Sequence, residues 1–307
     1  METVLITGGT GLIGTRLTAL LVEKGYRVII LTRSIPVIEK ADGVRYAKWD
    51  LVSREIDPDA IKEADYVIHL AGAGVAEKRW SKKRKQEIVN SRTKTGTLLT
   101  EMIGKYPNKI KVVISMSAIG WYGPDTDHSK AKGFEENAAP DRSFLGETCR
   151  EWEAAVSPIT ALGKRLAVFR TGIVLSNAGG AFAEFRKPLQ ARLATILGNG
   201  KQVISWIHID DLCRMFIHAL ENRELNGAYN AVAPNPVTNR QLMMQLAKKI
   251  CGRFFLPVYV PAFVLKIMLG EMSIEVLKSA TVSAGKILET GFVFSYPEIE
   301  SAIDDLV

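Results

Sequence analysis

The sequence predicts an α/β chain built on a doubly wound parallel sheet, with a second, smaller and discontinuous domain. Three observations predict it. Through residues 1–171, short and continuously apolar runs alternate with helical stretches, the pattern of strands buried on both faces. A glycine cluster, Thr7-Gly8-Gly9-Thr10-Gly11-Leu12-Ile13-Gly14, sits where the first of those runs gives way to the first helical stretch. Past Thr171 the rhythm changes: loop signals crowd residues 172–200, and prolines interrupt the chain from Pro234 onward.

Taken in order, Val4-Leu5-Ile6 reads as a buried strand. Leu12 to Lys24 has a helical pattern that Gly25 stops as a glycine just past a helix C-terminus would. Arg27 to Leu31 is the next strand, and a third ends at Trp49-Asp50. Tyr66 to Leu70 is another, followed by Ala71-Gly72-Ala73-Gly74. A long helix is expected over about Ser81 to Lys105, then strands at Lys111–Ile114 and Leu166–Phe169. Trp206 to Leu212 reads as a short strand entering a helix with Asp210 as its N-cap, and Ala228–Ala231 as one more strand. These signals divide the chain into a larger domain, 1–172 with 204–232, and a smaller one, 173–203 with 233–307. The apolar run Phe254–Leu269 holds Pro257, Pro261 and Lys266 and is shorter than the ~20 residues of a spanning helix. It is therefore expected in the core of the smaller domain, with no membrane association.

Composition narrows the class. An apolar share of 47% and a charged share of 24% fit a soluble globular protein, and 307 residues exceed one ordinary core. Cys149, Cys213 and Cys251 form no C-x-x-C pair, which argues for a reducing compartment, with neither a disulfide framework nor a metal site. The chain opens directly on a strand, so a cytoplasmic location is expected. The net charge of +7 suits small anions, nucleic acid or a membrane surface. Its local excess, Lys78, Arg79, Lys82, Lys83, Arg84 and Lys85, reads as a solvated helix face. Only Trp80 interleaves with it, so no nucleic-acid partner is expected.

The glycine cluster carries the chemistry. Gly8 permits a tight turn, Gly11 lets the main chain approach a diphosphate, and Gly14 allows close packing of the helix. The free amides and positive end of that helix then meet the phosphates. This is the required context for a dinucleotide-binding loop, and its ligand is expected at the carboxyl ends of the strands. Sites for NAD place a carboxylate after the second strand, to hold the ribose 2′-hydroxyl. Here that strand ends Leu31-Thr32-Arg33-Ser34. Arg33 suits a 2′-phosphate, with Thr32 and Ser34 adding hydroxyls, so NADP(H) is expected over NAD(H). Asp50 either bonds the adenine amine or is a turn aspartate. Thr7, Leu12, Ile13, Leu51, Leu70, Ala71, Gly72 and Ser115 complete the expected cofactor contacts.

These residues resemble the extended and atypical short-chain dehydrogenases/reductases, in particular the NAD-dependent epimerase/dehydratase branch. The resemblance runs over nearly the whole chain. It rests on Thr7–Gly14, Leu70-Ala71-Gly72, Arg79-Trp80 with Asn90-Ser91-Arg92, Ser115–Gly123, Phe169–Leu175, Trp206–Leu212 and Tyr229–Pro234. It implies a Rossmann sheet of about seven strands with a small substrate domain above it, but it names no substrate; a hydroxyl or carbonyl of a small polar molecule is the first hypothesis for what such an enzyme acts on. A homodimer is one compatible assembly.

The same resemblance exposes a departure. Its enzymes use a Ser or Thr, a Tyr, and a Lys four residues after the Tyr, which lowers the tyrosine pKa from about 10 and holds the nicotinamide ribose. No tyrosine of this chain has lysine at that spacing. Aligning on Glu153 puts Leu145 and Cys149 at the two positions, and a one-residue slip puts Phe144 and Thr148 there. Ser117 stands where the family keeps its hydroxyl, and Tyr122 is the nearest candidate acid unless it is a packed loop tyrosine. Glu147 and His208 are weaker candidates, and His208 has a second reading as a satisfied structural histidine. Arg79 and Arg92 either clamp an anionic substrate or are solvated. Two functions follow: an NADP(H)-dependent oxidoreductase or epimerase, or a non-catalytic protein that senses the cofactor.

Overall fold

The computed structural model describes residues 1–35 and 42–307. The chain runs β1 (Thr3–Thr7), α1 (Leu12–Glu23), β2 (Arg27–Thr32), β3 (Val44–Asp50), β4 (Glu55–Ile56), α2 (Pro58–Glu63) and β5 (Tyr66–His69). It continues with α3 (Lys82–Lys105), β6 (Val112–Ala118), α4 (Asp127–Lys132), α5 (Phe144–Val156) and β7 (Arg165–Thr171). Then come β8 (Ile173–Leu175), α6 (Ala181–Arg186), β9 (Leu193–Leu197), β10 (Val203–Ile204), β11 (Trp206–His208), α7 (Ile209–Glu221) and β12 (Gly227–Ala231). The last elements are β13 (Val237–Thr238), α8 (Asn239–Cys251), β14 (Leu256–Val260), α9 (Ala262–Leu269), α10 (Ser273–Leu277), α11 (Gly285–Glu289) and α12 (Ile299–Leu306).

Among the described residues the main sheet has eight strands, in the order β12-β7-β6-β5-β1-β2-β3-β4. All neighbours are parallel except β3 and the short β4, which pair antiparallel. The strand order reverses at β1, which pairs with β2 on one side and β5 on the other. A cleft therefore opens at the carboxyl end of β1, where the glycine loop begins. Strand alternation assigns the two faces. Val4 and Ile6 pack with Leu17 of α1 and Phe216 of α7, whereas Leu5 packs with Leu98 and Leu99 of α3.

A third apolar cluster joins Leu175, Phe182, Ala194, Ile196 and Trp206 to Leu242, Leu246, Ile299 and Ile303. It draws on β9, α8 and α12, beside the two-stranded pairing of β14 with β9. Residues Val282 to Phe294 pack instead with the α1–α7 face of the large sheet. The expectation for Phe254–Leu269 fails. Leu265 is buried, but Phe254, Leu256, Phe263, Ile267 and Met268 are exposed. The composition of that run is that of a core, yet α9 rests on the fold through one narrow stripe. No described helix is long and apolar enough to cross a membrane.

Two local expectations also change. Asp210 is not the cap of α7; the His208 ring is, its Nδ1 accepting from the Asp210 amide at 3.2 Å. Asp210 instead takes Arg16 of α1 in a two-pronged pair at 2.6 and 2.7 Å. The basic run is only partly a solvated face. Arg84 is buried and bonded to Glu77 and Glu87, and Lys85 pairs with Glu271. Arg79 donates to Ile267 O at 3.1 Å, so this segment meets the chain around α9.

Candidate dinucleotide and active site

The loop between β1 and α1 is shaped by its glycines. Gly8 takes φ +71°, and a Cβ there would lie 2.9 Å from the Leu70 carbonyl carbon at the end of β5. A Cβ on Gly14 would come within 2.3 Å of Gly8 O, so α1 packs directly on the loop that feeds it. Gly11 is the N-cap of α1, no side chain caps the helix, and its first turn holds no acidic residue. The first-turn amides from Leu12 onward have no intrahelical acceptor, and helix polarity makes them a seat for an anion. These features fit a diphosphate. Opposite them, Gly180 approaches Leu12, where a Cβ would be 3.1 Å from Leu12 Cδ2. The turn before α6 thus comes over the loop, and the Gly179-Gly180 pair was its signal in the sequence.

The neighbouring strand ends are tied together from within. Thr7 is fully buried, and its Oγ1 accepts from the amides of Leu70 and Ala71, both at 3.2 Å. Its own proton therefore goes to His69 Nδ1 at 2.7 Å, leaving the Nε2 proton facing Thr95 Oγ1 at 3.4 Å. Burial, with Arg92 nearby, pushes the His69 pKa down to about 4, so the ring is neutral at physiological pH. Thr7 acts by shaping the β1 and β5 ends, and its hydroxyl is not free for a cofactor. Ser115 is likewise buried, with its hydroxyl turned to Met116 O at 3.2 Å.

At the other side of the cleft, Arg33 and Ser34 are exposed after β2. Thr32 Oγ1 donates to Ser34 O at 2.8 Å and so shapes that turn. Residues 36–41, which follow, lie outside the described residues. Asp50 shapes the turn after β3, with Oδ1 accepting from the Val52 amide at 2.7 Å. That bond, chiefly, holds its carboxyl below the usual range. Leu51 is half-buried beside it, Leu70 and Ala71 are buried, and Gly72 is exposed.

The two expected catalytic residues are not free to act. Ser117 is completely buried, and its Oγ donates to Glu153 Oε1 at 2.8 Å. Glu153 in turn receives Arg170 Nε at 2.9 Å and Nη2 at 3.1 Å. Strand alternation turns Ser115 and Ser117 toward the same face of β6, and at Ser117 that face is covered by α5. Tyr122 is also completely buried, stacked on Phe134 with ring centroids 5.1 Å apart. Its hydroxyl donates to Asn230 Oδ1 at 2.6 Å and accepts from Arg170 Nη1 at 3.1 Å. Burial raises its pKa to about 12 against the pull of Arg170. It is the packed loop tyrosine, not the acid.

Leu145 and Cys149 press on Gly120 in the turn just after β6, where a Cβ would lie 3.1 Å from Leu145 Cβ and 3.5 Å from Cys149 Sγ. Burial pushes the Cys149 thiol up to about 11, so it is no acid–base substitute. Phe144 stacks edge-on to Trp80 at 4.9 Å, and Thr148 bonds Phe144 O at 2.6 Å. Glu147 sits on the outer helix face, paired with Arg150. His208 is buried against Tyr296 and near Asp305, as the cap of α7. Arg92 is not solvated and has no ion-pair partner among the described residues; it is buried over Trp152, a placement that one sequence gave no means of reading.

Comparison with known proteins agrees with this architecture. The family described as NAD dependent epimerase/dehydratase matches residues 4–231, and a domain of unknown function, DUF1731, matches residues 260–306. An epimerase family protein of Staphylococcus saprophyticus is 34% identical, with all of both chains covered. YfhF of Bacillus subtilis, also named an epimerase family protein, is 33% identical over 99% of this chain and 97% of its own. The crystal structure of the human epimerase family protein SDR39U1 with NADPH superposes with a TM-score of 0.84 at 28% identity, covering 99% of each chain. With its sheet reversing at the glycine loop and a second matched segment at its C-terminus, the chain belongs to the NAD-dependent epimerase/dehydratase family, on the extended short-chain dehydrogenase/reductase fold.

Proposed function

We propose that this protein binds NADP(H) along the carboxyl edge of its sheet and is an oxidoreductase or epimerase for a small polar hydroxyl or carbonyl compound. The observation that carries the reading is the glycine loop at the strand reversal, opening on a helix that no side chain caps. The first-turn amides of α1 receive the diphosphate, and exposed Arg33 holds the 2′-phosphate. The NADPH in the human relative's structure supports this choice of cofactor. When bound, the dinucleotide supplies or accepts hydride at its nicotinamide ring. The chain contributes a binding floor from Leu70 to Gly72 and a cover from the turn at Gly179-Gly180. It contributes no tyrosine–lysine proton relay of the usual spacing, since no tyrosine has a lysine four residues on and Tyr122 is sealed in the core.

Titration of the protein with NADPH and NADH tests the cofactor. Arg33→Asp is expected to weaken NADPH on the order of 100-fold, the loss of a two-pronged phosphate contact plus a new repulsion, and NADH little. Equal losses for both would remove Arg33 from the 2′-phosphate.

A second reading, a cofactor sensor without turnover, is favoured by the burial of Ser117 and Tyr122. Loss of NADPH absorbance over a panel of carbonyl compounds and nucleotide sugars separates the two. Turnover of any member supports the enzyme, and tight NADPH binding with no turnover supports the sensor.

A further inference from the structure

Leu145 and Cys149 leave the nicotinamide side of the cleft without the ammonium that a lysine would bring, but another cation lies alongside. Arg92 rises from α3 between that helix and α5. It is 7% exposed, and its guanidinium stacks 4.7 Å over the Trp152 ring. Nη1 donates to Ala73 O and Ile88 O, each at 3.0 Å. No carboxylate pairs with it among the described residues. Its Nε and Nη2 have no protein acceptor there and are not among the side-chain atoms sealed from solvent without a partner.

The position of this charge is specific. A Cβ on Gly72 would lie 3.2 Å from Arg92 Cζ and 3.4 Å from Nη1, and Gly72 itself is exposed. The guanidinium thus fills the space a side chain at position 72 would take, directly against exposed main chain of the binding floor. Trp152, on which Arg92 stacks, follows Cys149 by three residues on α5, so the cation lies within one helical turn of the position where the lysine is missing. A buried charge without a counter-ion is costly, and two carbonyls and a ring offset that cost only in part. Such a group calls for an electron-rich partner arriving from the open side.

We propose that Arg92 anchors the nicotinamide-side ribose of the bound dinucleotide, supplying from beside Gly72 the fixed positive charge and the hydroxyl-directed donors that a lysine at position 149 would have supplied. This rests on the NADP(H) reading above. Arg92 is a binding and positioning residue here, not a proton donor.

The test compares two ligands, NADPH and adenosine 2′,5′-bisphosphate, which keeps the adenosine half and lacks the nicotinamide riboside. Both are titrated by calorimetry into wild type and Arg92→Gln. Arg92→Gln is expected to lose NADPH affinity by ~10-fold or more, the loss of a charged donor, while the bisphosphate stays within about twofold. Equal loss of both ligands would make Arg92 a mere prop for residues 71–74, and unchanged NADPH affinity would remove it from the site; either overturns the assignment. If Arg92→Gln gives no cooperative thermal transition, Arg92→Lys is read with the same two ligands. It is expected to weaken NADPH a few-fold and spare the bisphosphate, and again equal losses or none overturn the assignment. A wild type that binds neither ligand fails the cofactor reading itself, an outcome distinct from all of these.

Discussion

Single residues divide here by what their polar atoms already hold. Ser117, Tyr122, Glu153, Arg170 and Asn230 form one buried network in which each hydroxyl and each guanidinium nitrogen has a partner. Such a network specifies a core and leaves nothing over for a substrate. Tyr122→Phe should therefore leave NADPH binding unchanged and lower stability by about 1–2 kcal/mol, because Asn230 Oδ1 and Arg170 Nη1 each lose a bond. Urea unfolding beside NADPH titration checks it. Lost NADPH binding in a variant of wild-type stability would return Tyr122 to the site. The residue names at 115–123 pointed toward catalysis because a serine and a tyrosine after a strand read the same whether they face a cleft or a helix. Only the packing of α5 on β6 distinguishes the two.

Among the elements, the join of β1 to α1 decides binding. Its backbone is held by contact rather than by side chains: Gly8 sits against the end of β5, and Gly14 sits against Gly8. Gly14→Ala would place a methyl 2.3 Å from Gly8 O, and neither is a flexible side chain that can yield. The first turn of α1 must then move away from the loop. Loss of measurable NADPH binding is expected, with destabilisation on the order of 1–3 kcal/mol from overpacking. Calorimetric titration with thermal unfolding reads both. An alanine variant that binds NADPH as wild type does would show that the amides of this turn do not carry the diphosphate. This join was legible in the sequence because the demand for glycine is local and sits at a strand-to-helix boundary. The cap of α7 was not, since Asp210 and His208 both suit the position and only Arg16, 194 residues away, draws Asp210 elsewhere.

For the molecule as a whole, Asp125 is the staple between the loop after β6 and the C-terminal segment. It accepts from Ser279 Oγ at 2.7 Å, from the Thr281 amide at 2.7 Å and hydroxyl at 2.9 Å, and from Ser129 Oγ at 3.0 Å. Burial pushes its pKa up, and these bonds outweigh that, holding the carboxyl below its ordinary 3.8. A carboxylate with a lowered folded-state pKa stabilises above its unfolded value, and the stabilisation is lost as pH falls through the folded one. Asp125→Asn should thus be less stable than wild type by about 1–2 kcal/mol at neutral pH, with the gap closing as pH drops below 3.8. Denaturant unfolding across that range measures it, and a gap that does not change with pH would mean the charge contributes nothing.

The order of the parallel strands through residue 171, the helices at 12–23 and 82–105, the dinucleotide loop and the absence of a Tyr–Lys pair were written in the chain itself, whereas α2, α4 and α5 were not read there. Each depends on neighbours within a few residues: an apolar run, a glycine that must be glycine, a spacing of four. What folding decided was the direction in which polar groups face. Ser117 and Tyr122 turned inward, Arg92 packed against Gly72 with no counter-ion among the described residues, and the apolar run at 254–269 stayed largely outside. Those outcomes depend on contacts between segments far apart in sequence, such as Tyr122 with Asn230, and periodicity along a single element carries no record of them.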